Sequence, residues 1–166
     1  MRYNASMIRS ATIADAVAIR DLVNGYAERG LMLHRSLESI YESIRDFLVC
    51  DEGGELTGCV AVSVSWKDLA EIRSLAVADG RRGSGVGREL MQGAVESAKA
   101  LGVARLFALT YEAEFFQRFG FRVVEKVALP AKVWRDCIYC PKADACDEIA
   151  VIRQLQQERV EVTEVG

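Results

Sequence analysis

Proline and histidine are almost missing from this chain, whose 166 residues include two Pro and one His. A single imidazole excludes any mechanism or metal site built on two histidines. Long apolar runs are missing as well: none approaches the roughly 20 residues that span a bilayer. The opening Met1-Arg2-Tyr3-Asn4 leads into mixed polar sequence rather than the apolar stretch of a signal peptide. A cytoplasmic protein with no membrane partner is therefore expected. Basic charge is not in excess, with 21 Lys and Arg against 24 Asp and Glu and a formal charge of -3. No electrostatic footprint for nucleic acid is left, and none is expected as a partner. Repeats, low-complexity tracts and Pro/Ser-rich linkers are absent. Five Cys is an odd number in a chain large enough to fold without disulfide staples, which points to a reducing compartment. What is present is 51% hydrophobic residues over one domain's length, so residues 1–166 are expected to form a single domain with one ordinary core.

Periodicity divides the chain into alternating helical and strand patterns. Ala16, Ile19, Val23 and Tyr26 recur at helical spacing between Thr12 and Ala27, and Thr12 with Asp15 resembles a capping box. Leu37, Ile40, Tyr41 and Ile44 repeat the pattern behind Ser36, a good N-cap. Phe47 to Cys50 and Leu56 to Val64 read as strands around the turn Asp51-Glu52-Gly53-Gly54-Glu55, with a further partner at Glu71 to Val77. A long helix carries Val86, Leu90, Ala94, Ala98 and Leu101 on one face and is closed by Gly102. Arg105 to Thr110 reads as a strand, Ala113 to Phe119 as a short helix stopped by Gly120, and Phe121 to Val127 as another strand. Glu148 to Leu155 reads as a closing helix. The order βααβββαβαβ predicts an α/β (α+β) domain, a mixed central sheet with helices on both faces.

Arg81-Arg82-Gly83-Ser84-Gly85-Val86-Gly87 lies between a predicted strand and a predicted helix, where backbone N–H groups and the helix dipole favour an anion. Its glycines do not follow the dinucleotide G-x-G-x-x-G spacing, and a P-loop's Gly-Lys-Ser/Thr ending is missing. Arg-x-x-Gly-x-Gly, from Arg82 to Gly87, resembles the pyrophosphate loop of the GNAT acetyltransferases; the bland alternative is a glycine-rich connector. The resemblance implies acetyl-CoA as cosubstrate, held by Arg82, Gly83, Ser84, Gly85, Val86, Gly87 and Arg88, with Arg81 adding charge. In the strand before the loop, Ile72 and Leu75 are three apart and share a face only across a β-bulge; a strand buried on both faces is the alternative. GNAT domains are similar, with a bulged fourth strand that parts from the fifth and binds the pantetheine arm through its backbone. The groups implied here are those of Leu75, Ala76 and Val77, and a backbone N–H near Leu75 or Ala76 would serve the oxyanion.

Acetyl transfer to an amine needs a neutral nucleophile and help for the developing charge. With the bulge in place, Glu71 and Arg73 face the cleft together. Glu71 is then the candidate general base, or else a strand carboxylate paired with Arg73. Where many GNAT enzymes carry a general-acid Tyr, four residues before Gly120-Phe121, this chain has Phe116. Tyr111 is the nearest phenol, and it either fills that role or packs. A covalent acetyl-cysteine route is unattractive, since no Cys has an adjacent base and His34 is the one imidazole.

Leu31-Met32-Leu33-His34-Arg35-Ser36, Leu106-Phe107-Ala108-Leu109-Thr110, Phe115-Phe116 with Gly120-Phe121, and Ala128-Leu129-Pro130 together resemble the acetyltransferase domain of N-acetylglutamate synthases, from about Ile8 to Pro130. The resemblance implies an amino-acid N-acetyltransferase that acetylates L-glutamate in the first step of arginine biosynthesis. Arg35 and Arg73 are the candidates for the two carboxylates, with Lys132 a third; for Arg35 a surface role beside the helix cap is the alternative. Other acceptors, such as glutamine or aspartate, and a non-catalytic acetyl-CoA-binding module stay open. Residues 131–166 form a Cys-containing extension resembling short, stand-alone synthases. Cys137, Cys140 and Cys146 offer three of the four ligands of a structural zinc site, with Cys50, Cys59 or Asp144 as the fourth, yet a reduced thiol cluster is favoured and no metal is expected. Trp134 either covers the cleft or packs. A homodimer is expected by analogy with GNAT domains.

Overall fold

Two hydrophobic layers on opposite faces of one sheet explain the order of elements. The computed structural model describes residues 7–129 and 148–155. In chain order the elements are β1 (Met7–Ser10), α1 (Ala16–Glu28), α2 (Leu37–Glu42), β2 (Phe47–Glu52), β3 (Glu55–Trp66), β4 (Leu69–Val77), α3 (Val86–Leu101), β5 (Arg105–Thr110), α4 (Ala113–Gln117), β6 (Arg122–Val124) and β7 (Ile149–Gln154). The strands lie in the order β1-β2-β3-β4-β5-β7-β6. Among the described residues only β4 and β5 pair in parallel, joined by the α3 crossover, and the other pairs are antiparallel. Among the described residues no helix is long and apolar enough to cross a membrane.

On one face α3 buries Leu90, Met91, Ala94, Val95 and Ala98 against Val60, Val62, Ala70, Ile72 and Leu106, and α4 adds Phe116. On the other, α1 and α2 lay Ala16, Ile19, Val23 and Ile40 over Phe47, Val49, Cys59, Ala61 and Ala76. Helices thus cover both faces, as expected. α3 comes unusually close to the sheet over Gly58, where an added Cβ would lie 2.7 Å from Leu90 Cδ1 and 2.9 Å from Val86 Cγ1. That approach sets the height of the N-terminus of α3 above the sheet.

Four sequence expectations need correction. Residues 148–155 are not a helix but contain β7, inserted between β5 and β6. Ala150 and Ile152 are buried on one face and Val151 on the other, so the apolar run hides the alternation that marks a strand. Leu101 is not on the buried face of α3 but 59% exposed, because Met91 and Val95 complete that face and the helix end has passed the sheet. α2 stops at Glu42, and Ile44 starts a separate 3-10 turn. The strand expected over 121–127 shortens to Arg122–Val124, followed by a 3-10 turn at Lys126–Ala128. The expectations for Lys132, Trp134, Cys137, Cys140, Asp144 and Cys146 lie outside the described residues.

The start of the fold is tied by charge. Thr12 N–H donates to Asp15 at 2.7 Å, as the capping-box pattern suggests, although the turn it opens is the 3-10 segment Ile13–Asp15 ahead of α1. Arg9 on β1 donates to both Asp15 oxygens, at 2.7 and 2.9 Å, and also to Asp51 at the end of β2. The Arg9 hydrogen bonds hold the Asp15 carboxyl below its usual 3.8, against the opposing effect of burial and with help from Thr12. A carboxylate lowered in the folded state contributes stability above its ordinary range and loses that contribution as pH falls through the lowered value. Asp15→Asn is expected to cost about 1–3 kcal/mol near pH 7, a difference that shrinks towards pH 3. Denaturant midpoints of both proteins at the two pH values measure it.

Candidate active site

β4 and β5 begin as neighbours and then part. Their register holds at Leu69↔Arg105, Ala70↔Leu106 and Glu71↔Phe107 and goes no further. Against β3, Arg73 faces Ala61 and Ala76 faces Cys59, so β4 carries one extra residue between Arg73 and Ala76. This is the predicted bulge, and Ser74 absorbs it at φ 54, the only non-glycine positive φ among the described residues. Ile72 and Leu75 both pack on the α3 side, as their spacing requires. A cavity of about 550 Å³ opens where the strands diverge.

The glycine loop forms one end of the cavity. Gly83 and Gly85 have φ of 81° and 92°, a region that strains other residues, and an added Cβ at either would meet nothing within 4 Å. Both are needed for conformation rather than space. Gly85 is the N-cap of α3, so the positive end of the helix dipole faces the cavity mouth. Gly87 differs: its φ is ordinary and a Cβ would only touch Phe115 and Val77 at 3.6–3.7 Å, so neither fold nor packing demands glycine there. A close backbone approach by a ligand is the remaining reason, and the loop fits the diphosphate expected from its sequence. Arg82 and Arg88 line this end. Arg81 also lines it but is held by Glu52 at 2.7 Å. Ser84 turns back to the Arg81 carbonyl and does not line the cavity, and Val86 is core.

Along β4, Leu75 and Val77 line the cavity whereas the Ala76 side chain packs under α1. Ala78 N–H donates to the Thr57 carbonyl, and the alternation of an antiparallel ladder gives the Ala76 backbone to β3 and turns that of Val77 to the open edge. Of the three backbone positions expected to hold an extended ligand, Ala76 is therefore committed to the sheet.

Glu71 sits at the apex of the cleft, the last β4 residue paired with β5. Its carboxylate lies 3.7 Å from Arg73 Nε, and both side chains line the cavity. Arg35, on the α1–α2 connection, joins them there. Its backbone is pinned by Asn24, which accepts from Arg35 N–H at 3.0 Å and donates to its carbonyl at 3.2 Å. Its guanidinium lies 5.3 Å from the Phe47 ring centroid and donates to the hydroxyls of Ser39, Ser43 and Ser74. Nearby Asp46 is pushed up by burial, against the pull of Arg35 and Arg73. Tyr111 lines the cavity; Phe116 reaches it too, but is 5% exposed and packs edge-to-face on Phe115 and Phe121. His34 is exposed and does not line the cavity. Cys50 and Cys59 are buried on opposite faces of the sheet, and burial pushes the Cys59 thiol up to about 12.

Sequence reasoning missed Asn24, Tyr26, Ser39, Ser43, Ser74 and Asp46. Tyr26 was legible only as a residue on the apolar face of α1. Spacing does offer one signal, since Ser39 in α2 and Ser43, its C-cap, are an i, i+4 pair.

The Acetyltransferase (GNAT) family matches residues 18–121. An uncharacterized N-acetyltransferase of Chlorobaculum tepidum is 47% identical over 89% of this chain and 96% of its own length. An amino-acid acetyltransferase of Mycobacterium tuberculosis is 36% identical over 77% of this chain and 75% of its own. Among solved structures, N-acetylglutamate synthase from Neisseria gonorrhoeae complexed with coenzyme A and N-acetyl-glutamate superposes with a TM-score of 0.83 at 28% identity, covering 94% of this chain and 36% of that one. Gly87→Ala is expected to leave the thermal midpoint within about 2 °C of the original or slightly above it. Its affinity for CoA should fall on the order of tenfold or more by isothermal titration.

Proposed function

The chain belongs to the acetyltransferase (GNAT) family, and we propose that the amine it acetylates is the α-amine of L-glutamate, giving N-acetyl-L-glutamate and CoA as in the first step of arginine biosynthesis. One observation carries the choice of acceptor: Arg35 and Arg73 line the same cavity as Glu71, on the α1–α2 side of the sheet. Two fixed guanidinium groups beside a carboxylate suit a ligand with two carboxylates and an ammonium. The similarity to amino-acid acetyltransferases and to the gonococcal synthase supports the same reading.

Acetyl-CoA supplies the acetyl group already activated as a thioester. The glycine loop, with Arg82 and Arg88, holds the diphosphate end, and the β4 edge at Leu75 and Val77 takes the extended arm. Arg35 is aimed by three serine hydroxyls and the Phe47 ring, so hydrogen bonds fix the direction of its guanidinium in the cavity. Glu71 takes a proton from the substrate ammonium, directly or through one water, and leaves a neutral nucleophile. The Leu75 N–H, just past the bulge, stabilises the oxyanion. Tyr111 is the phenol available to the leaving thiolate, since Phe116 has no proton to give.

An assay of free CoA release with a panel of amino acids tests the acceptor. Glutamate is expected to be turned over at least tenfold more efficiently than glutamine or aspartate; a different winner moves the acceptor, and no turnover with any amine leaves a binding module. Arg35→Ala should raise the KM for glutamate on the order of tenfold or more while that for acetyl-CoA changes less than about twofold. Glu71→Gln should lower the rate on the order of 100-fold near pH 7 and much less at high pH, where the amine is already neutral. A pH–rate profile that keeps its shape removes Glu71 as the base.

A further inference from the structure

Tyr26 lines the cavity and has no part in the reaction just described. It stands near the end of α1 and reaches across to β4, where its O–H donates to the Val77 carbonyl at 2.9 Å and its oxygen accepts the Val77 N–H at 3.2 Å. One phenol thereby closes both backbone groups of a single residue. That residue lies on the stretch of β4 that β5 leaves uncovered beyond Glu71↔Phe107. The ring also carries two cations, Arg82 with its guanidinium carbon 5.0 Å from the centroid and Arg29 at 5.1 Å.

An open strand edge recognises extended chains through amides, which offer an N–H and a C=O in the spacing that the edge presents. The pantetheine arm of CoA contains two secondary amides. An amide laid against Val77 needs the N–H that the Tyr26 oxygen now accepts, and that N–H has one hydrogen to give. Phenol and amide therefore compete. We propose that Tyr26 is a displaceable occupant of the cosubstrate's docking edge: its phenol satisfies Val77 in the free protein, gives way to an amide of the pantetheine arm, and so sets the affinity for acetyl-CoA. Arg82 links the two ends of the cosubstrate site, because an arginine at the diphosphate loop rests on the ring that must move. In the free protein the same contact keeps both backbone groups of Val77 paired where β5 has left the edge.

The proposal rests on the acetyl-CoA half of the reading above and not on glutamate. Its test is isothermal titration of the wild type and Tyr26→Phe with CoA, 4′-phosphopantetheine and 3′,5′-ADP. Tyr26→Phe keeps the ring under Arg82 and deletes only the hydroxyl. It should bind CoA and 4′-phosphopantetheine on the order of 3- to 10-fold more tightly and leave 3′,5′-ADP within about twofold, since the nucleotide carries no pantetheine amide. Unchanged or weaker CoA binding overturns the proposal, and so does equal tightening for 3′,5′-ADP, which would place the effect on Arg82. Failure of the wild type to bind CoA at all would remove the cosubstrate reading and this proposal with it. A second measurement keeps the phenol in place: in protein labelled with 3-fluorotyrosine, the Tyr26 resonance, identified by its loss in Tyr26→Phe, should shift on adding 4′-phosphopantetheine. A Tyr26 resonance that stays in place at saturation overturns the displacement.

Discussion

One surplus residue in β4, between Arg73 and Ala76, governs what the rest of the molecule can do. Without it, β4 would continue beside β5 as an ordinary parallel pair and the cleft would be filled with sheet hydrogen bonds. With it, Ile72 and Leu75 both turn to the α3 side while Glu71, Arg73 and Ala76 turn to the α1 side, and the strand edge near Val77 opens. The conformation has a cost: a non-glycine residue at positive φ is strained by about 1–2 kcal/mol. The neighbourhood holds it there, since Arg35 donates to the Ser74 hydroxyl and the Cys59 thiol to the Ser74 carbonyl. The residue that creates the cleft is thus tied to an arginine that lines it.

Positive charge enters the cleft from two directions and is held differently in each. At the glycine loop, Arg82 leans on the Tyr26 ring while Arg81 is engaged by Glu52. On the α1–α2 side, Arg35 is oriented by hydroxyls, and Asp46, whose carboxyl burial pushes up, lies in the field of Arg35 and Arg73. Hydroxyl partners direct the guanidinium, since each accepts from one fixed N–H direction. Helix α3 serves the first end through its N-terminus, and its close seat over Gly58 keeps that end near the strand edge. Bulge, glycine loop and helix seat act together, because each sets where a different part of one extended ligand can lie.

Much of this was legible in the chain. The helical faces of α1 and α3, the hairpin at Gly53-Gly54 and the parity change at Ile72 and Leu75 are local patterns, and local patterns survive folding because period and turn chemistry need few distant partners. β7 was not legible: a short apolar run buried on both faces has no alternation, and its identity as a strand depends on β5 and β6 lying on either side. The end of α3 failed for a related reason, since whether Leu101 is covered depends on where the sheet stops. At the cleft, Glu71, Arg73 and the glycines could be named from spacing on one strand and one loop. Tyr26 could not, because it earns its place through Val77, 51 residues away; Asn24, Ser39 and Ser43 all contact Arg35 from close by in the chain, and their part in the cleft depends on where that one arginine points.

By itself, then, the sequence determined the class of fold, the loop that fits a diphosphate and the strand that must bulge, all of them consequences of short-range spacing and of residue chemistry that no packing can change. The tertiary structure alone decided that the Arg35 side chain enters the same cavity as Glu71, that Ala76 belongs to the sheet and not to the cleft, and that the Val77 amide pair is held by a phenol from α1. Those outcomes depend on register and on how two helices sit across a twisted sheet, and a shift of one residue between β3 and β4 would exchange the roles of Ala76 and Val77.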